Sequence, residues 1–102
     1  KRTLTEILTE SYIDLPTIIS TGGVWSSEDA QKLLNQGADL IGVARVAIAH
    51  PDWPNKISNK NYSPKKPPFT TKYLKEVKLS SNFVNYMKNW PGFVVGGKRI
   101  VE

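Results

Sequence analysis

Near the start of the chain Leu4, Ile7 and Leu8 recur at the three- and four-residue spacing of a helix, and they read as the end of one. After Pro16 the rhythm changes. The β-branched run Thr17-Ile18-Ile19-Ser20-Thr21 predicts a short buried strand, and Gly22-Gly23 ends it. In Ser26-Ser27-Glu28-Asp29 a serine N-cap is followed by two acidic residues, which suit the positive end of a helix dipole. Ala30, Leu33 and Leu34 then form an apolar stripe, and Gly37 supplies a left-handed stop. The following Asp39-Leu40-Ile41-Gly42-Val43-Ala44 predicts a second buried strand. Strand, helix and strand with short connections make a βαβ unit, hence a parallel pair with a right-handed crossover.

Beyond this unit the apolar periodicity fades. Asn59 to Pro68 combines turn formers, lysines and three prolines, the composition of a loop or linker. Further on, Ser80 or Ser81 caps a helix carrying Phe83, Val84, Met87 and Trp90 on one side, stopped by Pro91-Gly92. Two parallel strands and one crossover helix leave sheet edges unpaired and a sheet face uncovered, so more strands are expected than the chain supplies. The sequence opens on lysine and its only methionine is Met87, which gives the same expectation of a fragment.

Charge divides the chain at about the same place. Residues 1–57 hold five basic and seven acidic residues, or −2, whereas 58–102 hold nine basic and two acidic, or +7. The expected organisation is therefore a βαβ part over 1–57 and a basic extension with one helix over 58–102. The length of 102 residues admits one modest core. Absence of cysteine excludes disulfides, thiolate metal sites and a cysteine nucleophile, and fits a reducing cytoplasm. No apolar run reads as a membrane span, and the polar N-terminus does not read as a signal peptide.

Candidate chemistry lies in the loops after the two strands, because loop amides and side chains converge at the carboxyl ends of parallel strands. Thr21-Gly22-Gly23-Val24 lets backbone approach an anion closely. Val43-Ala44-Arg45 places a guanidinium directly after the second strand, ahead of Val46-Ala47-Ile48-Ala49, which has the length of one helical turn. An arginine fork matches phosphate oxygens, and adjacent parallel strands set the two loops side by side.

Taken together, Pro16 to Val24, Ser27-Glu28-Asp29-Ala30, Gly37 to Arg45 and Ala49-His50-Pro51-Asp52-Trp53-Pro54-Asn55-Lys56-Ile57 resemble the C-terminal portion of the Old Yellow Enzyme family. These are FMN-dependent NAD(P)H oxidoreductases, or ene-reductases, on a (β/α)₈ barrel. The resemblance implies an α/β fold: the last two strands of a TIM barrel as a βαβ portion, followed by a mostly helical or irregular tail. It assigns the FMN phosphate to Gly22, Gly23, Ala44 and Arg45, with Ala44 where the family usually has glycine. It implies NAD(P)H as co-substrate and an activated alkene as hydride acceptor, the flavin carrying the chemistry. The family's substrate-orienting histidine or asparagine pair and its tyrosine proton donor belong to earlier strands, so no catalytic residue or metal ligand is assigned here. The expected state is a flavin-phosphate quarter, inactive alone, that associates with itself or with missing barrel strands. His50 reads as a surface or cap histidine.

Other readings compete. Lys60, Lys65, Lys66, Lys72, Lys75, Lys78, Lys88, Lys98 and Arg99, interleaved with aromatics, admit nucleic-acid binding, although a solvated surface over an aromatic core is the commoner outcome. Its specific form is a dihydrouridine-synthase-like flavoenzyme that binds tRNA. A non-enzymatic basic interaction module is a third class. Gly92 to Arg99 matches a P-loop by spacing, but Arg99 stands where Ser or Thr must hold magnesium and no helix can follow.

Overall fold

A computed structural model of the chain describes residues 2–97. Lys98 and Arg99, the end of the P-loop-like run, lie outside the described residues. Eight short elements follow one another. Helix α1 (Leu4–Ser11) is capped by Thr3, whose hydroxyl accepts from the Glu6 amide. Strand β1 (Ile19–Thr21) leads to helix α2 (Ser27–Asn35), and strand β2 (Leu40–Gly42) pairs parallel with β1. Ile19, Ser20 and Thr21 stand opposite Leu40, Ile41 and Gly42. Gly42 is needed at this register because a β-carbon there would overlap the Thr21 hydroxyl.

The cap of α2 is the one its sequence predicts. Ser26 Oγ accepts from the Asp29 amide at 3.1 Å, and the Asp29 carboxylate accepts from the Ser26 amide at 3.0 Å, a reciprocal capping box. Ala30 and Leu33 are buried, whereas Leu34 is exposed, so the stripe is narrower than its spacing implies. Gly37 has φ +113°, as its place after the helix requires.

The strands differ from expectation in burial. Ile19 is 64% exposed and Leu40, its register partner, 54%, while Ser20 points inward and meets the Thr5 hydroxyl of α1. Apolar content predicts buried strands, but among the described residues nothing covers the face carrying Ile19 and Leu40. The same holds for α1, where Thr5 is buried and Leu4 and Ile7 are exposed.

After β2 come helices α3 (Arg45–Ala49) and α4 (Trp53–Lys56), the latter with Pro54 in its first turn, where a missing N–H costs nothing. The tail holds two helices where its sequence predicts one: α5 (Thr71–Glu76), capped by Thr70, and α6 (Ser81–Met87), capped by Ser80. Six residues with a single buried side chain, Leu74, are too few for α5 to show a period. On α6 Val84 and Met87 are buried and Phe83 is exposed; the helix ends at Met87, so Trp90, which the sequence places on it, lies beyond it and is exposed.

One core joins the two charge regions. Val24, Trp25, Leu33, Val46 and Trp53 cluster with Phe69, Leu74, Val84, Met87, Phe93 and Val94. The segment between α4 and α5 lacks helix and strand but is tied down. The Ser27 amide donates to the Tyr62 carbonyl at 3.0 Å, and Ser27 Oγ lies 2.8 and 2.6 Å from the carbonyls of Ile57 and Asn59.

Candidate functional site

The parallel register brings the two glycine- and arginine-bearing loops to the same end of the sheet. Thr21 to Trp25 and Gly42 to Val46 together line a cavity of about 70 Å³. A water needs roughly 10–15 Å³ on this measure, so the space admits a group several atoms in size. All four residues singled out in the sequence, Gly22, Gly23, Ala44 and Arg45, lie on its wall.

Their backbone suits an anion. Gly22 and Gly23 have φ +122° and +69°, and a β-carbon on either would meet no atom within 4 Å. Glycine is required there by backbone conformation, and without side chains the backbone of this wall is open to close approach. Ala44 has φ −133°, outside the left-handed region, so alanine is accommodated there without that strain. Among the described residues no oxygen accepts the amide hydrogens of Gly23, Ala44 or Arg45. Arg45 is exposed and, among the described residues, has no carboxylate partner, unlike Arg2 and Lys56.

The N-terminus of α2 is not free for the same task. The Asp29 carboxylate takes the amides of Trp25 and Ser26, each at 3.0 Å. Burial pushes the Asp29 carboxyl up, but the hydrogen bonds from Ser26 and Trp25 outweigh that effect, and Lys66 adds attraction, so it ionises below the usual carboxylate range. The charged residue on the cavity wall is Arg45.

Two residues that sequence reasoning left without a role support this wall. The Trp53 indole N–H donates to the Trp25 carbonyl at 2.8 Å and fixes the far end of the glycine loop. Trp25 itself lines the cavity and packs against Phe69, ring centroids 6.3 Å apart. The signal was present in the run Pro51-Asp52-Trp53, but its partner lies 28 residues upstream. His50 is a cap residue, closing α3, but it is not on the surface: it is 9% exposed. The packing of Phe69 and Tyr73 from the tail covers it, which local sequence does not reveal.

Three known proteins share similarity with about half of the chain. Over 49 residues, 48% of the chain, it is 41% identical to NADH:fumarate oxidoreductase of Klebsiella pneumoniae. Over 54 residues, 53% of the chain, it is 33% identical to NADH:acrylate oxidoreductase of Vibrio harveyi. Over 52 residues, 51% of the chain, it is 40% identical to imidazole glycerol phosphate synthase subunit HisF of Streptomyces coelicolor. These stretches cover 5% of each oxidoreductase and 20% of the synthase subunit, so the chain corresponds to a small part of the relatives it matches. No family model matches the chain. No solved structure matches it. The class these findings define is coarse: a chain similar in part to NADH-linked oxidoreductases.

Proposed function

We propose that this chain is the C-terminal portion of an FMN-dependent NAD(P)H oxidoreductase of the ene-reductase type, and that it carries the loops for the flavin phosphate. The observation that carries the reading is the convergence of Gly22-Gly23 and Ala44-Arg45 on one cavity at the carboxyl ends of adjacent parallel strands. Gly23, Ala44 and Arg45 offer amide hydrogens to a phosphate, Gly22 shapes the loop, and Arg45 adds a charge-assisted fork. Partial similarity to two NADH-linked oxidoreductases supports it. When bound, the flavin would supply hydride chemistry; the chain's own residues would hold its phosphate. Activity on an alkene would need residues from outside this chain, so the chain alone is inactive. The exposed pair Ile19 and Leu40 marks where further strands or a second copy would cover the sheet.

The test is an FMN titration of the purified chain, with riboflavin and inorganic phosphate as competitors. Saturable binding of FMN but not riboflavin, reduced at least about tenfold by Arg45→Ala, is expected for a charge-assisted contact. Equal affinity of wild type and Arg45→Ala would remove the assignment.

The similarity to the HisF subunit favours one second reading, a site for a phosphate ester other than a flavin. The same clamp would then bind glycerol phosphate as well as it binds FMN.

A further inference from the structure

The sequence leaves the aromatics of the tail open between a buried core and a surface on which flat molecules stack. The structure divides them. Phe69 and Phe93 are each 1% exposed and belong to the core, whereas Tyr86 is 52% exposed, Trp90 40% and Phe83 36%. The three exposed rings are contiguous. Phe83 and Tyr86 lie almost parallel, centroids 5.7 Å apart at 13°, and Trp90 meets Tyr86 edge to face at 4.9 Å and 63°. Such pairs hold one another's geometry, and the exposure of all three leaves ring surface in water.

This ladder is anchored from beneath. Val84 and Met87 of α6 are buried in the core. Past Met87 the amides of Lys88, Asn89 and Trp90 donate to the carbonyls of Asn85, Tyr86 and Met87, each at 3.1 Å, and the Trp90 carbonyl accepts from the amide of buried Phe93 at 3.2 Å. Trp90 is therefore fixed beside Tyr86 although the helix has ended. A surface ordered before it binds is spared the entropy cost of ordering on contact.

The surroundings are basic. Residues 58–97 carry seven lysines and one carboxylate, Glu76. Among the described residues none of the seven forms an ion pair. Lys88 stands between Tyr86 and Trp90 in the chain, and Lys72 and Lys75 belong to α5, which packs against α6. No ring of the ladder lines the cavity at Arg45, so this surface does not depend on the flavin reading.

Charge and planarity together select the occupant. A second copy of the chain would bring rings but also the same lysines, and like charges repel. An acidic peptide supplies charge without a run of flat faces, and a duplex keeps its base faces in its own stack. A single strand of nucleic acid offers both, an accessible base and a phosphate at every nucleotide. We propose that the aromatic ladder of α6 and the turn after it is a platform for single-stranded nucleic acid: bases stack on Phe83, Tyr86 and Trp90, while Lys88 and the lysines of α5 meet the phosphates. Ring faces read no base edge, so binding tolerates any sequence.

The probe is a fluorescently labelled oligothymidylate of about 16 nucleotides, titrated with the purified chain and followed by anisotropy. Saturable binding is expected, with log affinity falling against log salt by about 0.7 for each phosphate neutralised. Tyr86→Leu, which keeps apolar bulk without a ring, should weaken binding about fivefold to a hundredfold and leave the salt slope unchanged, whereas Tyr86→Phe should bind as wild type does. Lys75→Gln combined with Lys88→Gln should flatten the slope. Far-ultraviolet dichroism checks that each variant is folded. Affinity for a duplex of the same length, or for polyglutamate, equal to that for the single strand overturns the proposal, and this comparison needs only the wild-type chain. Absence of binding at low salt overturns it too, as does equal affinity of wild type and Tyr86→Leu. Self-association that Tyr86→Leu abolishes, with no strand bound, would give the face to a second copy instead.

Discussion

The indole of Trp53 and the carboxylate of Asp29 hold the same end of the glycine loop, at Trp25. Trp53 donates to the Trp25 carbonyl, and Asp29 collects the Trp25 and Ser26 amides. Trp53→Phe keeps an aromatic ring in the core but leaves a buried acceptor unpaired. It is expected to cost about 1–3 kcal/mol, read from chemical denaturation, because the loss includes desolvation of the orphaned carbonyl. Asp29 carries a pH prediction. Its carboxyl ionises below the ordinary range when folded, so its contribution is complete above about pH 4 and is lost as pH falls through the lower folded value. Asp29→Asn should therefore flatten the acid limb of the stability profile and leave neutral pH with a deficit of about 1 kcal/mol. The Ser26 cap, the acidic first turn and the two glycines were legible in the sequence because their partners lie within four residues. His50 was not. Its environment is made by Lys65, Phe69 and Tyr73, 15 to 23 residues away, and no local pattern announces such neighbours.

Elements were legible in proportion to their length and to the strength of their punctuation. Helix α2, with nine residues, a serine cap and a glycine stop, emerges where its pattern places it. The strands emerge at three residues each, shorter than their β-branched runs, because pairing ends where the chain leaves the two-stranded ladder. Helices α4 and α5 hold four and six residues, below the window in which a 3.6-residue period can be seen. Their stability comes from tertiary packing rather than propensity, since isolated helices of this length do not persist in water. Leu74 of α5 is 0% exposed and sits in the core that also holds Trp25 and Trp53. Leu74→Ala is expected to destabilise the chain by about 2–5 kcal/mol. Because the core is shared, tryptophan fluorescence, which samples Trp25 and Trp53 of the first part and Trp90 of the tail, and far-ultraviolet dichroism should report the same shifted transition. Two separated transitions would show that the basic tail unfolds independently.

At the scale of the molecule the apolar surface is incompletely covered. The radius of gyration is 16.0 Å, against about 13 Å for a compact domain of this length. Ile13 is 98% exposed, and the Ile19–Leu40 pair forms an open patch on a parallel sheet, an architecture otherwise found with both faces covered. This part of the picture was legible in advance, because two strands and one crossover helix cannot enclose a sheet whatever their side chains. What the sequence could not show is which residues would stand exposed, since that depends on the register and on the side to which α1 and α2 pack. The free backbone of a strand edge and the adjoining apolar patch together favour association. Sedimentation of the chain should accordingly show mass rising with concentration, and Leu40→Lys, which places a charge on the patch opposite Ile19, should return it to monomer while sparing the proposed FMN binding. The substitution lies two residues before the cavity wall at Gly42 and points away from Ser20, on the side where nothing among the described residues packs. A strict monomer at all concentrations would mean that Ile19 and Leu40 are tolerated in water as they stand. In that case the demand for further strands would rest on sheet geometry alone.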